Sequence, residues 1–172
     1  TGIITSQWVS SNNYLSNSTN ISNLSAGNYS LQISDLNSCV KDTIISIYHP
    51  DSLFGIPLVE DASCFMYADA SININTQGGV DPVNIYWTNS ISNSLVLDSL
   101  LSGEYIYVLT DSNGCFFTDT VHVDQPEQML VDDSLVSVQC NGEKTGSIYL
   151  NVIGGIMPYS FLWSDSSTNQ DL

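Results

Sequence analysis

The chain has 172 residues, with 18 acidic side chains against two basic ones, Lys41 and Lys144, and a formal net charge of -16. A field that negative excludes nucleic acid and anionic lipid as partners. At 42% hydrophobic the chain is too apolar for a disordered acidic tail, yet it holds no apolar run of about 18 residues that would insert in a membrane as a helix. Asn, Ser and Thr abound while Lys, Glu and Ala are scarce, which predicts an all-β fold.

In chain order, the first signals are Trp8 and, after a stretch rich in Asn and Ser, LSAGNY at 24–29. Tyr29, Leu31 and Ile33 alternate with Ser30, Gln32 and Ser34, the period of a half-buried strand with the apolar set inward. DLNSC at 35–39 then reads as an acidic turn ending in cysteine, and Pro50 closes the segment. Beyond it an opening strand is expected around Leu58 to Met66, followed by the alternating SININ at 71–75 and the turn residues Gly78, Gly79, Asp81 and Pro82. VNIYW at 83–87 puts Val83, Ile85 and Trp87 on one face, and NSLVLDS at 93–99 offers a short strand. GEYIYVLTD at 103–111 is a strong strand with Tyr105, Tyr107 and Leu109 inward; DSNGC at 111–115 turns it into FFTDTVHV, which ends before Pro126. SIYLNVI at 147–153 alternates as SININ does, and Gly154, Gly155, Pro158 and YSFLW at 159–163, expected to be a strand like its match VNIYW, complete the list of signals.

These signals recur. Cys39 and Cys115 lie 76 positions apart, as do Cys64 and Cys140, Trp87 and Trp163, Pro82 and Pro158, and Pro50 and Pro126. The motif L-x-x-G-x-Y appears at Leu24 to Tyr29 and again at Leu100 to Tyr105. Trp8 alone breaks step by three residues, which a surface-loop insertion accommodates cheaply. A period of this size is a small domain rather than a solenoid coil. The expected organisation is the C-terminal half of a first copy at 1–50, a complete copy at 51–127 and the N-terminal half of a third at 128–172, a segment of a longer protein. Each copy should be a small immunoglobulin-like antiparallel β-sandwich of six or seven strands. Tyr29 and Tyr105 sit where such a sandwich carries a tyrosine corner, or they are ordinary core aromatics.

No cysteine pair has the close spacing of a metal site, so disulfides in an oxidising compartment are expected, with buried free thiols as the alternative. If strands alternate in direction throughout, Cys64 and Cys115 fall at the same end of the sandwich. A bridge there would close a loop of 115 − 64 = 51 residues and stabilise the copy by about 4 kcal/mol. Cys39 and Cys140 would then pair beyond residues 1–172; the competing scheme joins Cys39 to Cys64 and Cys115 to Cys140. Catalysis is not expected. His49 and His122 are not equivalent under the period, since His49 corresponds to Gln125, and no nucleophile has a repeated base beside it. No cofactor is expected either, although Asp111 with Asn113, or Asp124, Glu127, Asp132 and Asp133, could offer oxygen ligands to calcium if they are not simply solvated turns.

VQCNGEKTGSIYLNVIGGIMPYSFLWSD at 138–165, LLSGEYIYVLTDSNGC at 100–115 and VHVDQP at 121–126 resemble the SprB-type repeat of giant Bacteroidetes surface adhesins, including those of gliding motility. The resemblance covers nearly the whole chain, with departures at SCFMYADAS and VDPVNIYW in the middle copy and at Ser38 in the first turn. It implies an extracellular, cell-surface filament exported by type 9 secretion and anchored in the outer membrane through another region. Its partners would be neighbouring repeats, the secretion and anchoring machinery, and an external surface or glycan. Bacteria of that group attach O-glycans at Asp-Ser/Thr-apolar triplets, which marks Thr43, Ser52, Ser99, Thr120 and Ser134. The expected role is a stalk segment of an adhesin. The alternative is a carbohydrate-binding module using the loops at 10–23 or 88–94, and the exposure of Trp8 decides whether a stacking aromatic is on offer.

Overall fold

The structure is a computed structural model that describes residues 5–10, 14–88 and 92–172, and among them every regular element is a β-strand. The chain forms two compact units, Thr1–Asp51 and Ser52–Leu172. The first holds β1 (Thr5–Ser10), β2 (Leu15–Ser16), β3 (Gly27–Ser34) and β4 (Val40–Ile47) in one antiparallel sheet ordered β2-β1-β3-β4. Trp8 lies opposite Leu31 and is buried; its Nε1 donates to the Ser18 carbonyl at 3.0 Å. It is therefore a core residue, not a stacking platform.

The second unit contains β5 (Phe54–Glu60), β6 (Ala70–Gln77), β7 (Asn84–Trp87), β8 (Val96–Leu100), β9 (Gly103–Thr110) and β10 (Phe116–Val123), then β11 (Leu130–Val136) and β12 (Ser147–Ile153). Two three-stranded sheets, β5-β6-β8 and β10-β9-β7, enclose one apolar core, the immunoglobulin-like antiparallel β-sandwich expected from the alternation. Ile72 and Ile74 from β6 and Leu97 from β8 meet Ile85, Trp87, Tyr107, Leu109, Val121 and Val123 from the opposite sheet. Trp87 and Tyr107 are both 0% exposed with ring centroids 5.4 Å apart, each large buried side chain being worth about 1.5–3 kcal/mol of transfer free energy. The buried cluster begins at Leu53 and ends at Val123, so it crosses neither Pro50 nor Pro126.

The period of 76 is written into bounds and registers. Adding 76 to β3 and β4 reproduces β9 and β10, and adding it to β5 reproduces β11. Tyr29 faces Ile45 as Tyr105 faces Val121, and Phe54 faces Gln77 as Leu130 faces Ile153. Trp8 faces Leu31 as Trp87 faces Tyr107, which confirms that Trp8 is the shifted counterpart of Trp87.

Three expectations need correction. The opening strand is 54–60, not 58–66, because Pro57 sits within it; Pro is tolerated there since β5 is the edge of its sheet. Residues 61–69 instead form a loop. YSFLW at 159–163 is not a strand, since no partner stands where β9 faces β7.

Strand direction departs from the expectation as well. β7 pairs antiparallel with β9 and β8 antiparallel with β6, and these registers make β7 and β8 two short pieces of a single ascent. β7 climbs the lower half of one sheet to Trp87, whose Nε1 donates to Ser94 O at 2.9 Å, and β8 climbs the upper half of the other. Directions thus do not alternate throughout: β5 and β10 run the same way. Their far ends are tied together, Ala62 N donating to Asp124 O at 3.0 Å and Asp124 N to Asp61 Oδ1 at 2.9 Å.

Candidate functional site at the ends of the sandwich

At the lower end, the turn 111–115 is built on one carboxylate. Asp111 Oδ1 accepts the N–H of Asn113 at 2.9 Å and of Cys115 at 2.8 Å, and its Oδ2 accepts Val80 N at 3.0 Å. Ser112 returns two bonds, its N and Oγ both donating to Val80 O at 3.0 Å. The acidic turn is thereby bolted to the Gly78-Gly79 turn. Both glycines adopt positive φ, and a Cβ on Gly79 would lie 3.1 Å from Leu53 and 3.3 Å from Asp111. Asp111 is the one buried charged residue described. Burial pushes its pKa up, but backbone N–H groups of Cys115, Val80, Asn113 and Gly114 outweigh this and hold the carboxyl below its ordinary value.

The first copy repeats the device. Asp35 Oδ1 accepts Asn37 N at 2.9 Å and Cys39 N at 2.8 Å, and Ser38 takes φ 63° where Gly114 takes 81°. The serine departs from the pattern in sequence and not in geometry. Tyr29 Oη donates to Ser25 O at 2.8 Å and Tyr105 Oη to Leu101 O at 2.9 Å, the hydroxyl folding back four residues in each copy: both are tyrosine corners.

At the upper end, loop 61–69 folds over the exit of β10. Met66 N donates to Gln125 Oε1 at 2.7 Å, Tyr67 N to Cys64 O at 3.1 Å, and Ser63 N and Oγ both donate to Asp69. Those Ser63 hydrogen bonds, the hydroxyl's first, hold the Asp69 carboxyl below its ordinary value. Ser63, Cys64 and Phe65 line a cavity with Pro126, Glu127, Met129, Gly155 and Ile156, so this loop and the first turns of the third copy share a pocket.

Cys64 and Cys115 are therefore not neighbours. Cys64 follows β5 at the upper end, whereas Cys115 precedes β10 at the lower end, and the eight residues of β10 between them extend about 26 Å. A disulfide requires Cα atoms within about 7 Å, so the two ends cannot be bridged without unfolding the copy. All four cysteines, Cys39, Cys64, Cys115 and Cys140, are free and exposed.

Thr43, Ser52, Ser99, Thr120 and Ser134 are all exposed, four of them on strands. His49 and His122 are exposed as well, His122 Nδ1 lying 3.7 Å from Glu104 Oε1. The possible calcium ligands are not brought together: Asp111 is spent on backbone N–H groups of its own turn and of Val80, Asp132 and Asp133 are adjacent on β11 and point to opposite faces, and no group of three or more His, Cys, Asp or Glu that could hold a metal occurs among the described residues. Residues 11–13 and 89–91 of the two candidate glycan loops lie outside the described residues. Sequence reasoning missed the bond from Asp111 to Val80 and the clamp from Gln125 to Met66. Their partners are 31 and 59 positions apart, and the only written signal was the recurrence of Gly-Gly alongside the acidic turn.

No helix among the described residues is long and apolar enough to cross a membrane. No curated protein matches the chain. Residues 133–168 match the family model of the SprB repeat, and the shared strand bounds and registers relate that copy to the complete one before it.

Proposed function

We propose that this chain is a stalk segment of a large secreted adhesin filament at the cell surface, serving attachment or gliding motility through the filament's length and not through chemistry of its own. The match to the SprB repeat supports a repeat segment of an adhesin-type surface protein. The observation that carries the mechanical reading is the fate of the polar residues repeated between copies. Asp111, Tyr105 and Trp87, like Asp35, Tyr29 and Trp8, all spend their polar atoms on backbone partners inside their own copy. Each copy adds length on the order of 30 Å, from strands rising about 3.3 Å per residue. Secretion by the type 9 route, anchoring elsewhere in the protein and glycans at some of the exposed Asp-Ser/Thr positions belong to the same proposal.

Pulling the chain end to end in an atomic force microscope tests it: the complete copy should give a discrete unfolding event with the contour length of one 76-residue repeat. A gradual, featureless extension would remove the stalk reading. Binding by the fold itself has one supporting observation, a polar groove in the first unit lined by Ser6, Gln7, Asn17, Thr19 and Gln32. The lining lacks an aromatic ring for a sugar to stack on, and a glycan array probed with this chain should stay blank.

A further inference from the structure

The cysteines sit at opposite ends of a copy, and what each end faces assigns their partners. In the complete copy the D-x-x-x-C turn is seated on the Gly78-Gly79 turn, with Leu53 beneath Gly79. In the third copy the same seat exists: Gly154 and Gly155 have φ 74° and 63°, and Met129, the counterpart of Leu53, lies beneath Gly155. Gly155 N donates to Glu127 O at 2.9 Å, fixing this seat to the linker after Pro126. Cys64 of the complete copy, exposed in its loop, is a wall of the pocket that this seat lines.

We infer that Cys64 forms a disulfide with the cysteine of the D-x-x-x-C turn belonging to the next copy, and that each copy in the array is stapled to its successor in this way. The occupant of the pocket is the acidic turn that completes the third copy, resting on Gly155 as Asp111 rests against Gly79. Its cysteine, four residues after the aspartate, arrives beside Cys64. By the same rule Cys140 serves the copy after it, while Cys115 and Cys39 are taken by the first-loop cysteines of the copies before them. Within residues 1–172 no cysteine meets its proper partner, and the four thiols are free. The bond forms with balanced chemistry: two thiols lose two protons and two electrons as the S–S bond closes, and a disulfide oxidant takes them up, becoming two thiols. A staple between copies joins covalently what the linker alone would leave as a hinge.

This inference rests on the tandem-stalk reading, and its test separates the two. The full chain is extended after Leu172, the counterpart of Val96, by a second copy of residues 97–127, which completes the third sandwich. It is refolded in a mixture of reduced and oxidised glutathione and digested without reduction. The expected product links the Cys64 peptide to the appended counterpart of Cys115, and Cys64→Ser leaves that appended cysteine as a free thiol. A blue shift of Trp163 emission reports that the third copy has closed. A Cys64–Cys115 peptide, or free Cys64 in a chain whose Trp163 has shifted, overturns the staple. Discrete unfolding steps under force would persist in either case if the stalk reading is right, and would be missing if that reading is the one at fault.

Discussion

The complete copy and the third copy share a motif but not a state. Trp87 is wholly buried between two sheets, while its counterpart Trp163 is half-buried, although both indoles donate to a backbone carbonyl further along the chain, Ser94 O and Asn169 O. IYW in the complete copy is a strand because β9 pairs with it; FLW in the third lacks that partner and is not. Leu172 nonetheless pairs with Ile148, its N donating at 2.9 Å, so the third copy begins to lay down its next strand where β8 lies in the second. Alternation alone therefore makes a residue ready for a strand, and the strand forms only when a partner arrives with a face to bury.

Substitutions can break or sharpen that contrast. The largest effect should come from Trp87→Ala, costing about 3–5 kcal/mol in chemical denaturation, against at most about 1 kcal/mol for Trp163→Ala. Equal losses would mean that the third copy is as well packed as the second. Next is Gly79→Ala, which forces a Cβ into φ +69° against Leu53 and Asp111 and should cost about 1–2 kcal/mol, measured by the same urea curves. Tyr105→Phe removes the corner hydroxyl and should cost about 1 kcal/mol, a loss absent if that bond is ornamental.

Tyr107→Phe should run the other way. Its hydroxyl is buried without a hydrogen-bond partner, under Gly55, and burial, then the charge of Asp119, pushes its pKa up to about 12. Removing an unpaired polar atom should leave stability unchanged or raise it by up to about 1 kcal/mol, and a clear loss would reveal a partner.

Asp111 supplies a pH test. Its folded pKa is lowered, so the stability it contributes is complete above the ordinary carboxyl value of 3.8 and is lost as pH falls below that toward the folded value. Asp111→Asn should flatten this acid limb of the stability profile, and an unchanged limb would assign the acid sensitivity to other carboxyls.

Much of this was legible in the spacing of cysteines, glycines and tyrosines, because each of those residues fixes a turn or a corner locally. L-x-x-G-x-Y announced the tyrosine corner since donor and acceptor are four residues apart. The inward face of β9 followed from period-two alternation. Direction did not, because alternation reports which face is buried and is blind to which way a strand runs. The passage from β7 to β8 is a change of sheet within one ascent, and nothing in Thr88 to Leu95 distinguishes it from a hairpin. That single ambiguity placed Cys64 and Cys115 at one end when they stand at two. Pro57 hid β5 for a related reason, being hostile to a central strand and harmless at an edge.

Native-state hydrogen exchange of the whole chain tests the central claim, that residues 51–127 form a self-contained unit within a repeating array. The amides of β6, β7, β9 and β10 should exchange through one common opening, with β11 and β12 exchanging through a separate opening of lower free energy. A single opening free energy shared by every strand from β5 to β12 would contradict it.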